Sequence, residues 1–117
     1  MFFPESQVRI WLYTRPTDMR KSFDGLAAMV KHQLQEDPLS GQLFVFINRR
    51  GTYMKVLYFD RSGYCLWCKR LEQGRFHLAE SGTEKQRLDW TQLKFILEGI
   101  SLKKTRRYRR YSHPFPG

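Results

Sequence analysis

The run from Leu43 to Leu71, LFVFINRRGTYMKVLYFDRSGYCLWCKRL, decides the fold. It contains three strand-like segments, Leu43–Asn48, Tyr53–Asp60 and Tyr64–Leu71. The links between them, Arg49-Arg50-Gly51-Thr52 and Arg61-Ser62-Gly63, are short and carry glycine. Short glycine-bearing links between apolar runs are the signature of an antiparallel meander. Side chains alternate across a strand. In the middle segment Tyr53, Leu57 and Phe59 therefore share one face, and Met54, Val56 and Tyr58 share the other. One face packs a helix. The second is either covered too or free to meet a partner.

The segments before the meander supply that helix. Val8–Tyr13 alternates, with Val8, Ile10 and Leu12 opposite Arg9, Trp11 and Tyr13, and reads as a strand. Arg15-Pro16-Thr17-Asp18 breaks it, and Thr17 or Asp18 is placed to cap a helix. From Asp18 to about Gln35, Met19, Phe23, Leu26, Ala27, Val30 and Leu34 fall on one helical stripe. Gly25 inside it costs about 1 kcal/mol relative to Ala, which points to a packing reason. Glu36-Asp37-Pro38 ends the helix.

Beyond the meander, Glu72-Gln73-Gly74 is a turn and Arg75–Ala79 reads as a short fourth strand. Glu80–Leu88 is polar and reads as loop. Asp89–Glu98 reads as a second helix with Trp90, Leu93, Leu97 and Ile100 on its buried stripe. Asp89 is its N-cap and Gly99 its C′ residue. The expected fold is α+β: an antiparallel meander of three to five strands against an N-terminal amphipathic helix, with a second helix at the C-terminal side. Strand order does not emerge from the pattern.

The chain has 117 residues, one domain by length. It carries 21 Lys and Arg against 11 Asp and Glu, a net +10, with a pI near 10.0. Such a surplus on a small body favours a polyanionic partner. Residues 1–98 hold 15 of the bases and all 11 acids; residues 99–117 hold six bases and no acid. That shift divides the chain into a compact unit, 1–100, and a basic tail, 101–117. No apolar run approaches the length of a membrane span. Met1-Phe2-Phe3-Pro4-Glu5-Ser6 lacks the basic and apolar regions of a secretory signal. Two cysteines make no disulfide framework. A cytoplasmic protein without membrane contact is expected.

Candidate DNA-binding residues are the cations. In the tail they are Lys103, Lys104, Arg106, Arg107, Arg109 and Arg110, interleaved with Tyr108 and Tyr111. Arg49 and Arg50 sit at a hairpin tip, Arg20 and Lys21 in the expected first helical turn, and Lys69 and Arg70 at the end of the third segment. The bland reading of each is solvated surface charge. Tyr53, Tyr58, Tyr64 and Trp67 are the candidates for a protein interface.

Three ordered blocks carry a family resemblance. They are Arg15-Pro16-Thr17-Asp18-Met19-Arg20-Lys21-Ser22-Phe23-Asp24-Gly25-Leu26, Ser40-Gly41-Gln42-Leu43-Phe44-Val45-Phe46-Ile47-Asn48-Arg49-Arg50, and Leu66-Trp67-Cys68-Lys69-Arg70-Leu71-Glu72-Gln73-Gly74-Arg75-Phe76. Together the blocks resemble the TnpB accessory proteins, the second open reading frame of bacterial insertion sequences of family sixty-six. The resemblance covers roughly residues 5–80. It implies a role in transposition beside a larger transposase encoded by the same element. The chain is too short for the unrelated RNA-guided nuclease that shares those letters.

Other chemistry is poorly supported. Cys65 and Cys68 form a C-x-x-C, but inside a strand their side chains face opposite ways, and no second pair completes a zinc site. Asp18, Asp24 and Asp60 are better explained as cap, helix surface and turn than as metal ligands for a nuclease. There is no phosphate loop of the Walker type. No catalytic residue, metal or cofactor is expected. The leading expectation is a non-enzymatic accessory factor that binds DNA through the tail and the arginine-rich surface. A transposase-docking subunit and a small RNA-binding protein are the alternatives.

Overall fold

The computed structural model describes residues 8–78 and 82–99. In chain order the described elements are β1 (Ile10–Tyr13), α1 (Phe23–His32), β2 (Leu43–Ile47), β3 (Tyr53–Asp60), β4 (Gly63–Arg70), β5 (Lys85–Leu88) and α2 (Trp90–Glu98). The strands form one sheet in the order β4-β3-β2-β1-β5. β2, β3 and β4 are the expected antiparallel meander, with Val45 opposite Val56 and Val56 opposite Trp67. β1 runs parallel to β2, Ile10 beside Leu43, and α1 is the crossover between them. Parallel neighbours require such a long return connection. The fold is α+β with a mixed sheet.

Both faces of the sheet are covered. On one, Leu26, Val30 and Leu34 from α1 and its C-terminal turn pack on Tyr13, Phe44, Phe46 and Leu57. On the other, Leu93 and Ile96 of α2 join Ile10, Leu12, Val45, Met54 and Val56. β2 lies at the centre, and all five of its residues are buried. This is why its sequence is an unbroken apolar run rather than an alternating one.

Three expectations are corrected. First, α1 begins at Phe23, not Asp18. The Asp18 carboxylate accepts from the Arg20 backbone N–H at 2.9 Å, and the Lys21 N–H donates to the Asp18 carbonyl. This local turn competes with helix and wins. Arg20 and Lys21 therefore precede the helix, Ser22 holds the N-cap position without a side-chain bond, and Phe23 is 42% exposed. Second, residues 75–78 are irregular chain rather than strand; Ala79 lies outside the described residues. Gly74 turns with φ 79°, and the Phe76 N–H donates to the Gly51 carbonyl, which lays this segment across the β2–β3 turn. Third, the polar stretch before Asp89 contains a strand, β5, paired antiparallel with β1. An edge strand needs little apolar pattern when a free edge supplies its hydrogen bonds. Only Leu88 of β5 is buried, while the Lys85 ammonium lies 4.6 Å from the Trp11 ring centre and pairs with Glu36.

α2 obeys its sequence signals. The Asp89 carboxylate accepts from the Gln92 N–H at 2.7 Å, and the Gln92 side chain accepts from the Asp89 N–H at 2.8 Å. This reciprocal capping box fixes the start. Gly99 closes the helix with φ 77°, a left-handed conformation that favours glycine. Leu93 and Ile96 are the fully buried pair, with Trp90 and Leu97 half-buried beside them. The expected stripe residue Ile100 lies outside the described residues. Gly25 does have a packing neighbour, since a Cβ there would come within 3.3 Å of the Lys21 Cβ.

Candidate nucleic-acid interface

The β2–β3 turn is a rigid mount for two arginines. The Gly51 N–H donates to the Asn48 carbonyl at 3.0 Å, closing a turn with Arg49 and Arg50 at its centre. The Asn48 carboxamide oxygen accepts from the N–H groups of Thr52 and Tyr53 at 2.9 and 3.1 Å. Gly51 has φ 75°, a left-handed conformation that favours glycine, and a Cβ added there would sit in ordinary contact, 3.7 Å, with the Arg75 side chain. Both guanidiniums project from an exposed turn and make no ion pair among the described residues.

Strand polarity gathers other cations at the same end of the sheet. β1 and β2 end there, β3 starts there and β4 ends there with Lys69 and Arg70. The Lys69 ammonium donates to the Leu97 carbonyl at 3.2 Å, which brings the last turn of α2 to this end as well. A lysine on these free carbonyls also suits the negative end of the helix dipole. Gly99, the last described residue before the basic run, follows the last turn of α2.

The expected DNA-binding residues differ in how committed they are. Arg20 holds Asp18 through Nε and Nη2, and this pairing with the Arg20 backbone N–H lowers the Asp18 carboxyl from 3.8 to about 2. Arg70 pairs with Glu72 at 3.3 Å. Lys69 is occupied at the end of α2. The Lys21 side chain is exposed and makes no ion pair among the described residues, while its carbonyl accepts from the buried Lys55 ammonium at 2.7 Å. Arg49, Arg50 and Lys21 are thus the uncommitted cations of the set. Lys103, Lys104, Arg106, Arg107, Arg109 and Arg110 lie outside the described residues.

Beside the turn is a cleft of about 410 Å³. Three separate segments line it: residues 13–16 leaving β1, the β2–β3 turn, and residues 75–78. Its floor includes the buried side chains of Tyr13, Ile47 and Phe76, and its rim carries Arg15, Arg49 and Arg75. Among the described residues no carboxylate lines it. Sequence reasoning misses Arg15 and Arg75. Each is a lone arginine beside a turn residue, Pro16 or Gly74, and that position is the only signal the sequence offers.

The four aromatic candidates do not share a face. Tyr53 and Tyr64 lie on the α1 side, and Tyr58 and Trp67 on the α2 side. All four are half-buried. Tyr64 contacts Phe59 edge-on at 5.4 Å, and Tyr58 packs on the core, where burial and then Cys65 push its phenol pKa up. Cys65 and Cys68 are both free thiols on opposite faces of β4. Among the described residues no group of His, Cys, Asp and Glu could hold a metal ion. No described helix is long and apolar enough to cross a membrane.

Comparison with known proteins gives a consistent result. The family model described as IS66 Orf2-like protein matches residues 8–107. The match runs past the three motif blocks to include β5, α2 and the first part of the basic run. Two proteins of Sinorhizobium fredii are similar to the chain. One, y4hO, is 42% identical over 93 residues, covering 80% of this chain and 81% of that protein. The other, y4jC, is 35% identical over 106 residues, covering 80% of this chain and 91% of that protein. Both are named as uncharacterized, so neither name carries an activity. No solved structure matches the chain.

Proposed function

The chain belongs to the IS66 Orf2-like family of insertion-sequence accessory proteins, and from that premise we propose that it binds DNA without catalysing a reaction on it. The observation that carries this reading is the cationic end of the sheet. Arg49 and Arg50 are held there by the Asn48 turn, with Lys21 and the cleft arginines nearby. Arginines fixed on a short turn lose little freedom when they meet phosphates. Phosphate contacts position a protein on DNA, whereas sequence is read at base edges. Specificity for the transposon end then comes from the transposase of the same element, which is the proposed protein partner.

The basic tail, 101–117, is the second contact in this proposal. It continues from α2, whose last turn lies at the same end as the arginine turn, so both reach one stretch of DNA. The working location is the bacterial cytoplasm, at the nucleoid.

Fluorescence anisotropy tests the reading, with labelled transposon-end duplex compared with a scrambled duplex of equal length. Similar, tight binding to both is expected, and deletion of the tail weakens both alike. Retained transposase pull-down by the tail-deleted protein is expected as well. Absence of duplex binding at low salt overturns the reading and favours a pure docking subunit.

A further inference from the structure

The cleft beside the arginine turn has two chemistries in one cavity. Its floor is apolar, with Tyr13, Ile47 and Phe76 each less than 8% exposed. Its rim is cationic, with Arg15, Arg49 and Arg75. Two of these guanidiniums are oriented through one nitrogen only. Arg15 Nε meets the Glu84 carboxylate at 3.2 Å, and Arg75 Nε donates to the Arg50 carbonyl at 3.1 Å. Their terminal nitrogens make no other bond among the described residues, and the Arg15 side chain stays 65% exposed.

Three backbone donors around the cleft are already spent. The Thr14 N–H donates to Glu84, Gly51 to Asn48 and Phe76 to Gly51. A free nucleoside di- or triphosphate is usually cradled by such amides. Among the described lining residues, three arginine side chains supply the charge that meets an anion, as arginines do for a nucleic-acid backbone. The volume lies near the lower end of the roughly 300–1,000 Å³ of small-ligand sites, far too small for a duplex.

We propose that this cleft seats one unpaired nucleotide of a nucleic-acid strand, its phosphate on Arg15 and Arg75 and its base or sugar on the apolar floor. The proposal rests on the nucleic-acid reading above and adds a strand-end or single-strand subsite to it. A duplex lies across Arg49 and Arg50, and an unpaired nucleotide at its end turns into the cleft. Among the described residues, Glu84 is the carboxylate that competes for Arg15. Its ion pair is exposed, so removing it costs the fold little.

The test uses the full chain and maps backbone amide NMR shifts with three probes: pentathymidylate, thymidine monophosphate and a blunt duplex. Pentathymidylate is expected to shift the amides of Thr14, Arg15, Gly51 and Phe76, and to bind more tightly than the mononucleotide. Arg15→Gln with Arg75→Gln weakens pentathymidylate on the order of a hundredfold, since each of the two charged hydrogen bonds lost is worth about tenfold. The same pair weakens blunt-duplex binding much less than pentathymidylate binding, and an equal loss for both overturns the subsite. Glu84→Gln tightens pentathymidylate by about twofold to fivefold, in keeping with an exposed pair. Shifts from the duplex at Arg49 and Arg50, with none from pentathymidylate at the cleft, overturn the subsite and leave the DNA reading standing. Equal affinity for the mononucleotide overturns the strand and leaves a free-nucleotide site. No shift from any probe overturns both readings.

Discussion

The two turns of the meander contain the same ingredients and have different surroundings. Asn48-Arg49-Arg50-Gly51 joins β2 to β3, and Asp60-Arg61-Ser62-Gly63 joins β3 to β4. Each is glycine-bearing and each carries arginine. At the first, the Asn48 carboxamide locks the loop, and the chain returns at Arg75 and Phe76 to wall a cleft. At the second, Arg61 sits beside Asp60 in the chain, and a Cβ added at Gly63 would meet nothing within 4 Å. Charge on a turn becomes a site where other segments close around it. An isolated charged turn stays a surface feature.

The largest predicted effect strikes both turns together. Phe44 is fully buried in the central strand against α1. Phe44→Ala should cost about 3–5 kcal/mol, read from the urea midpoint. Both turns should then lose amide protection in hydrogen exchange. Protection retained at only one of them would mean that the two turns do not share one core.

The next effect separates the turns. Arg49→Glu with Arg50→Glu should weaken duplex binding on the order of a hundredfold at low salt, from two lost phosphate contacts and added repulsion. Arg61→Glu should change it less than about twofold at the same salt, because it removes no proposed phosphate contact. Circular dichroism should show both proteins folded. Equal losses would erase the distinction.

Glycine substitution sharpens the comparison on the stability scale. Gly51→Ala forces an L-residue into φ 75° and should cost about 1–2 kcal/mol. Gly63→Ala has open space and no positive φ, so its cost should stay within about 0.5 kcal/mol. Thermal melts distinguish the two.

The smallest effect is electrostatic. Arg20 lowers the Asp18 carboxyl to about 2. A carboxyl lowered in the folded state stabilises above its unfolded value near 3.8, and that contribution fades as pH falls through about 2. The Asp18 turn should therefore persist at pH values where free aspartates have protonated. An NMR titration of Asp18 should show this, and Arg20→Ala should return the midpoint toward 3.8.

Legibility in the sequence tracks the range of the interactions. The meander and α2 depend on neighbours in sequence: the glycine turns, the Asp89 cap and the Gly99 stop. Both are legible. α1 is legible in its stripe, Leu26, Val30 and Leu34, but not at its start, where the Asp18 side chain favours a turn over a helix. β5 is hidden because its pairing with β1 spans the whole domain and its side chains are polar. The parallel pairing of β1 with β2 is hidden for the same reason. At the candidate site, Arg49 and Arg50 stand out as a pair on a hairpin. Arg15 and Arg75 do not, because the cleft unites segments around residues 15, 50 and 75 that only the sheet order brings together.

The most direct measurement is the salt dependence of duplex affinity, by anisotropy, for the natural chain and for the Arg49→Glu, Arg50→Glu variant. A steep log–log slope is predicted, about −5 if six phosphates are neutralised, flattening by about two in the variant. A slope near zero, or one the variant leaves unchanged, would contradict DNA binding through the arginine turn.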